Sequence, residues 1–194
     1  MNTVSRQTAR RNARSKALQA LYQWDLSGSS RDGEGADAAA TATAESETDA
    51  VIGDILAQFH DSQDMSKVDQ EYFDELFGET LRNHASLDEQ LQPSLDRPVA
   101  EVDPIERSIC RLGTYELANR LDIPLKVVIN EWVEITKKFG SDKGYKYVNG
   151  VMDKVGQRLR AIEADAGKKM NASGNAQASA EAIAETPKPP AADS

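Results

Sequence analysis

Large apolar residues recur every three or four positions along most of this chain, and no stretch alternates long enough to suggest a strand. Ala13, Ala17, Leu21 and Trp24 mark one face of a first helix, predicted over residues 8–26. Residues 27–50 break the pattern. They hold glycine, serine, alanine, threonine and acids but no large apolar side chain, and they read as a flexible acidic insertion. Val51, Ile52, Ile55, Leu56 and Phe59 restart the period in a second helix. A third is predicted over 67–85, with Val68, Tyr72, Leu76 and Phe77 inward, and a short fourth over 86–91. Pro93 and Pro98 then interrupt the helical pattern.

The second half has sharper punctuation. Asp103-Pro104-Ile105-Glu106 predicts a helix start, with Asp103 as cap, Pro104 in the first turn and Glu106 as a capping-box carboxylate. Ile105, Ile109, Leu112 and Leu117 face inward. Asp122-Ile123-Pro124 separates this helix from the next, whose stripe is Leu125, Val128, Ile129, Trp132, Ile135 and Phe139. Lys137, Lys138 and Gly140 close it. A last helix is predicted over 145–163, with Val148, Val151, Val155, Leu159 and Ile162 inward. From Ala164 the chain loses all period and reads as a disordered tail. The expected fold is therefore all-α, a compact bundle of about seven helices, divided as 1–26, an insertion at 27–50, 51–163 and a tail at 164–194.

Composition narrows the class. With 39% hydrophobic and 28% charged residues the chain reads as globular, and its one cysteine, Cys110, excludes an intrachain disulfide. No apolar run is long enough to span a bilayer, and the basic N-terminus precedes no apolar signal segment, so a cytoplasmic protein is expected. The net charge of −9 argues against nucleic acid only until its distribution is considered. Residues 1–16 carry Arg6, Arg10, Arg11, Arg14 and Lys16 and no acid, whereas 27–50 carry six acids against Arg31. Screening over roughly 8–10 Å makes such a local patch matter more than the total.

RNA recognition needs cations for phosphates and flat surfaces for unstacked bases. Arg10, Arg11 and Arg14 supply the first, and the loop with Phe139, Lys143, Tyr145, Lys146 and Tyr147 supplies both. The plainer alternative stands beside this: the arginines form a solvated end, and the tyrosines pack. Other polar residues favour a packing role. Gly150 inside a helix, with Asn130, Glu131 and Asn149 near apolar stripes, suggests close helix contact and buried hydrogen bonds. Cys110 reads as an inert core residue. His60 and His84 lack a metal-ligand pattern, and no phosphate loop or nucleophile–base pair is evident, so neither enzyme, cofactor nor metal is expected.

The run from Arg10 through Trp24 resembles the start of the NusB family of transcription antitermination factors. So do Arg111-Leu112-Gly113-Thr114-Tyr115-Glu116-Leu117, Ile123-Pro124, Ile129-Asn130-Glu131, Phe139-Gly140 and Val148-Asn149-Gly150-Val151-Met152-Asp153-Lys154, in the family's order. The resemblance covers 8–26 and 51–162. It implies two small helical sub-bundles and binding of boxA-type RNA from ribosomal RNA leaders. It also implies a complex with NusE, a small-subunit ribosomal protein, that joins NusA, NusG and RNA polymerase. The RNA residues it implies are Arg10, Arg11, Arg14, Gln19, Phe139, Lys143, Lys146 and Tyr147; those facing NusE are Tyr22, Glu106 and Arg111. Replacing all three arginines is expected to leave the fold intact. Two alternatives remain: a helical interaction module without RNA contact, or the RNA-binding front of an RNA cytosine methyltransferase, which would need a further domain. Either a monomer or a homodimer fits the family.

Overall fold

The computed structural model describes residues 5–27 and 38–165, with side chains omitted over 38–45. The described residues hold α1 (Arg6–Leu26), α2 (Ala38–Ser62), α3 (Gln70–Arg82), α4 (His84–Leu91), α5 (Pro104–Asn119), α6 (Leu125–Phe139) and α7 (Gly144–Leu159). After a bend at Arg160 a further helical stretch covers 161–165, where a single helix over 145–163 is predicted. Two 3₁₀ turns, Gln92–Ser94 and Val99–Glu101, fill the proline-bearing stretch before α5. No strand is present among the described residues, so the chain is all-α as its periodicity predicts.

Local chemistry sets most boundaries. Ser5 Oγ accepts the Thr8 amide and starts α1 two residues before the apolar pattern does. Asp69 accepts the Tyr72 amide, so the third helix begins at Gln70 and ends at Arg82, inside the predicted 67–85. The larger departure is α2. It begins at Ala38, so residues 38–50 are helical rather than part of a linker. Their alanines and glutamates are good helix formers, and the apolar run from Val51 anchors the helix they extend. Residues 28–37 and 166–194, expected to be unstructured, lie outside the described residues.

Helices α1–α3 form one layer and α4–α7 the other, with α5 packed against both. Small side chains on α1 (Ala13, Ala17, Ala20) let it approach closely, and Leu21 and Trp24 complete its buried face. α2 leans on α3 through Ile52, Ile55 and Phe59. Gly113 lets α5 pack closely on its neighbours: a Cβ there would sit 2.5 Å from Met152 Cε and 3.2 Å from Trp132 Cδ1, and Met152 would have to move. At the far end of α5, Arg160 does what no residue of α5 can. It donates to the carbonyls of Leu117 and Ile123 at 2.7 Å, Arg120 at 2.8 Å and Glu116 at 3.2 Å. Leu117 and Glu116 belong to the last turn of α5, where carbonyls begin to lack helical partners, and Arg120 and Ile123 to the connection after it; the guanidinium binds all four while itself nearly buried.

One carboxylate joins four helices. Glu116, fully buried on α5, accepts from Arg14 Nε and Nη2 on α1, from Tyr72 Oη on α3 at 2.5 Å and from Trp132 Nε1 on α6 at 2.8 Å. Removing one partner of such a pair strands a buried charge. Glu116→Ala is expected to lose about 3–5 kcal/mol in chemical denaturation. A loss under ~1 kcal/mol would show that water or rearranged side chains satisfy Arg14 instead.

Candidate nucleic-acid interface

The four arginines of α1 meet different fates because successive residues of a helix point about 100° apart. Arg6 is exposed at the helix start. Arg10 lies over the Tyr72 ring at 5.1 Å, within 3.7 Å of Asp69 and 3.6 Å of Asp122. Arg14 shares its face and is carried inward with it. Only 3% of its side chain is exposed, and its donors are committed to Glu116. Burial works against this charge, but the Glu116 bonds outweigh it and hold the Arg14 pKa above its ordinary value. The sequence reading of Arg14 as a phosphate contact is therefore corrected: its spacing from Arg10 was right, but the shared face is the buried one.

Arg11 points along a different radius and is 51% exposed. Its Nε and Nη2 donate to Glu131 on α6 at 2.8 and 2.6 Å. That bond holds the Glu131 carboxyl below the usual carboxylate range, against the opposing effect of burial. Glu131 also lies 3.7 Å from Arg14. It is buried and hydrogen-bonded, as its place near an apolar stripe suggests, and it also orients a surface arginine.

α6 carries this arrangement toward the second candidate region. α1 runs antiparallel to α5, with Arg14 on Glu116 at one end and Asp25 on Arg107 at the other, and α6 turns back along α5. α1 and α6 thus rise together. Gln19 stands two turns beyond Arg11, and Phe139 two turns beyond Glu131, each about 12 Å along its helix. Gln19 and Phe139 are half-buried, and Phe139 packs against the core. Beyond it, Lys143 and Lys146 are exposed and form no ion pair among the described residues. The Tyr145 ring lies 5.7 Å from Lys137 Nζ and 6.0 Å from Lys146 Nζ. Tyr147 is half-buried against the core with Arg97 over its ring, and burial pushes its hydroxyl up to about 12.

The expected partner face needs more correction. Tyr22 is partly exposed, as predicted. Arg111 is 5% exposed and donates to both Asp88 oxygens at 2.7 and 2.6 Å, with Asp25 at 3.6 Å. Glu106 is buried as well and does not cap α5, whose Ile105 and Glu106 amides go to Asp103. Its carboxylate accepts from Ser141 Oγ at 2.7 Å and fixes the loop before α7. Gly144 is needed there because a Cβ would overlap Glu106 Oε1. Both charges hold this face together from beneath. Asn130, Asn149 and Gly150, expected in packed positions, are exposed, and a Cβ at 150 would meet nothing within 4 Å. Cys110 is buried, with its thiol pushed up to about 12 by desolvation.

The two neighbouring arginines should separate in a melt. Arg14→Ala is expected to cost about 3–5 kcal/mol by stranding Glu116, and Arg11→Ala under ~1 kcal/mol because its pair is half-solvated. Replacing all three α1 arginines therefore destabilises the fold through Arg14, contrary to the expectation from sequence. Equal midpoints for the two single variants would refute this division.

The family model for the NusB family matches residues 11–157. The chain is 46% identical over 164 residues to the transcription antitermination protein NusB of Alcanivorax borkumensis, covering 84% of this chain and 95% of that one. It is 45% identical over 156 residues to the protein of the same name from Ralstonia nicotianae, covering 80% and 87%. Among solved structures it resembles T. maritima NusB with a TM-score of 0.61 at 21% identity, over 80% of this chain and 96% of that one. It also resembles a chain from a complex of NusB and NusE with double-stranded RNA, with a TM-score of 0.54 at 23% identity, over 76% and 96%. These two share its fold. The family model across most of the chain, and relatives this similar over four-fifths of it, establish that the chain belongs to the NusB family.

Proposed function

We propose that this protein is an RNA-binding transcription antitermination factor. It binds boxA-type RNA together with NusE, joins NusA, NusG and RNA polymerase, and supports transcription of ribosomal RNA operons from the cytoplasm. It acts by binding, without catalysis or cofactor. The observation that carries this reading is the cation layout: Arg11, half-exposed and oriented by Glu131, with unpaired Lys143 and Lys146 farther along the direction that α6 sets. The relatives' shared name, and the NusB–NusE–RNA complex among the structural neighbours, support it. RNA contact falls to Arg10, Arg11, Lys143 and Lys146, with Gln19, Phe139 and Tyr147 offering partly exposed surface; Arg14 acts from the core. NusE contacts the face around Tyr22, which Arg111 and Glu106 brace.

The test is a salt titration of a boxA-type RNA. Replacing Arg11, Lys143 and Lys146 together by alanine should weaken binding and reduce the slope of log affinity against log salt by about 2–3. Unchanged affinity and slope would place the RNA contact elsewhere, and no binding by the unaltered chain would leave an interaction module without RNA contact.

For the partner face, Tyr22→Ala should weaken NusE binding by roughly tenfold in calorimetry, as expected for a partly exposed aromatic anchor, with RNA-only binding unchanged. Full NusE affinity would place that interface elsewhere.

A further inference from the structure

Two glycines interrupt exposed helix faces here, and they differ from the rest. At Gly113, Gly144 and Gly156 a Cβ would press on Met152, Glu106 and Leu125 respectively, so a side chain there would have to displace a packed neighbour. At Gly53 and Gly150 a Cβ would meet nothing within 4 Å. Glycine weakens a helix interior, and nothing among the described residues uses the space that it leaves.

The surroundings of the two are opposite. Gly53 sits on α2 beside Asp54 and one turn from Asp49. Gly150 sits one turn after Lys146 and two after Lys143, on an exposed face that continues through Asn149 to Asp153. Asn149 Nδ2 donates to Asp153 Oδ2 at 3.0 Å. That bond turns the amide while leaving Oδ1 and a second Nδ2 hydrogen without partners among the described residues. The face therefore offers two cations without an ion pair among the described residues, an oriented amide and then a stretch of bare helix backbone, before a carboxylate ends it.

We propose that the Asn149–Gly150 step of α7 is a contact surface for the ribose-phosphate backbone of bound RNA, extending the site beyond Lys143 and Lys146. The proposal rests on the RNA-binding reading above. Lys146 engages a phosphate, the next ribose lies against the helix at Gly150, and Asn149 Oδ1 accepts its 2′-hydroxyl. A methyl group at 150 would hold the ribose away from the helix. Asp153 repels the following phosphate and turns the strand off the protein. The exposed cations disfavour an apolar segment here, and the hydroxyl-binding amide of Asn149 beside bare backbone favours a ribose-phosphate chain over an acidic protein segment.

The experiment compares the full chain with Gly150→Ala, Gly53→Ala and Asn149→Ala by thermal melting and by anisotropy, using a boxA-type RNA oligonucleotide and DNA of the same sequence. Both glycine variants should raise the melting midpoint by about 2–4 °C, since alanine is the better helix former. Gly150→Ala alone should weaken RNA binding, by about tenfold, a loss of ~1.4 kcal/mol. Asn149→Ala should reduce the preference for RNA over DNA. A stabilised Gly150→Ala protein with wild-type RNA affinity overturns the proposal. So does one that keeps RNA affinity and loses NusE, which would make this a protein-binding face. If the unaltered chain binds no RNA, the functional reading itself fails, and that outcome is distinct from the others.

Discussion

The arrangement of this fold depends on a single buried negative charge. Glu116 has no contact with solvent, and removing a carboxylate from water costs several kcal/mol unless its oxygens are fully occupied. Here a guanidinium, a phenol and an indole occupy them, each from a different helix. Apolar packing alone would tolerate small rotations and slips between α1, α3, α5 and α6. A charge that must meet three donors tolerates far less, because any slip exposes an unsatisfied group in a low-dielectric interior. Burial together with the Glu116 charge raises the Tyr72 pKa, so its hydroxyl stays a donor.

That register decides which arginines reach the surface. With Arg14 fixed on Glu116, α1 cannot rotate. Arg10 is then placed over Tyr72, and Arg11 is turned toward α6. Arg160 reinforces this at the same, C-terminal end of α5, where its bonds to four carbonyls tie that end and the α5–α6 connection to the end of α7. The surface site is thus a consequence of how the core satisfies its polar groups.

The periodic stripes were legible in the sequence because each depends on neighbours three and four positions away. Asp103-Pro104 before α5 and the Trp132 stripe of α6 follow from local rules alone. Arg14 was not legible in the same way. Its partner lies 102 positions away, and four arginines near a terminus carry no mark telling which one is buried. Glu106 has the position of a capping-box carboxylate, but its carboxylate accepts from Ser141, 35 residues on, a partner no local pattern reveals. Gly150 misled in the opposite direction. A glycine inside a helix suggests close packing, and only the structure shows the space beside it empty. The alanine-rich start of α2 was missed for want of large apolar residues, although helix propensity needs none.

The two kinds of cation on this surface also suit different tasks. Arg11 is a planar fork with two of its donors already committed, so its position is set before any ligand arrives and little side-chain entropy remains to be lost on binding. Its charge, however, is largely balanced by Glu131, and it adds little long-range attraction. Lys143 and Lys146 are the reverse: exposed and without an ion pair among the described residues, they attract an anion from a distance but, as point charges, orient it poorly. On a chain with a net charge of −9, attraction must come from such unpaired local charge, and alignment from the arginine whose charge is already spoken for. A surface made only of paired arginines would capture an anion slowly. One made only of lysines would hold it without fixing its register, and here the rise of α6 alongside α1 sets the spacing between the two.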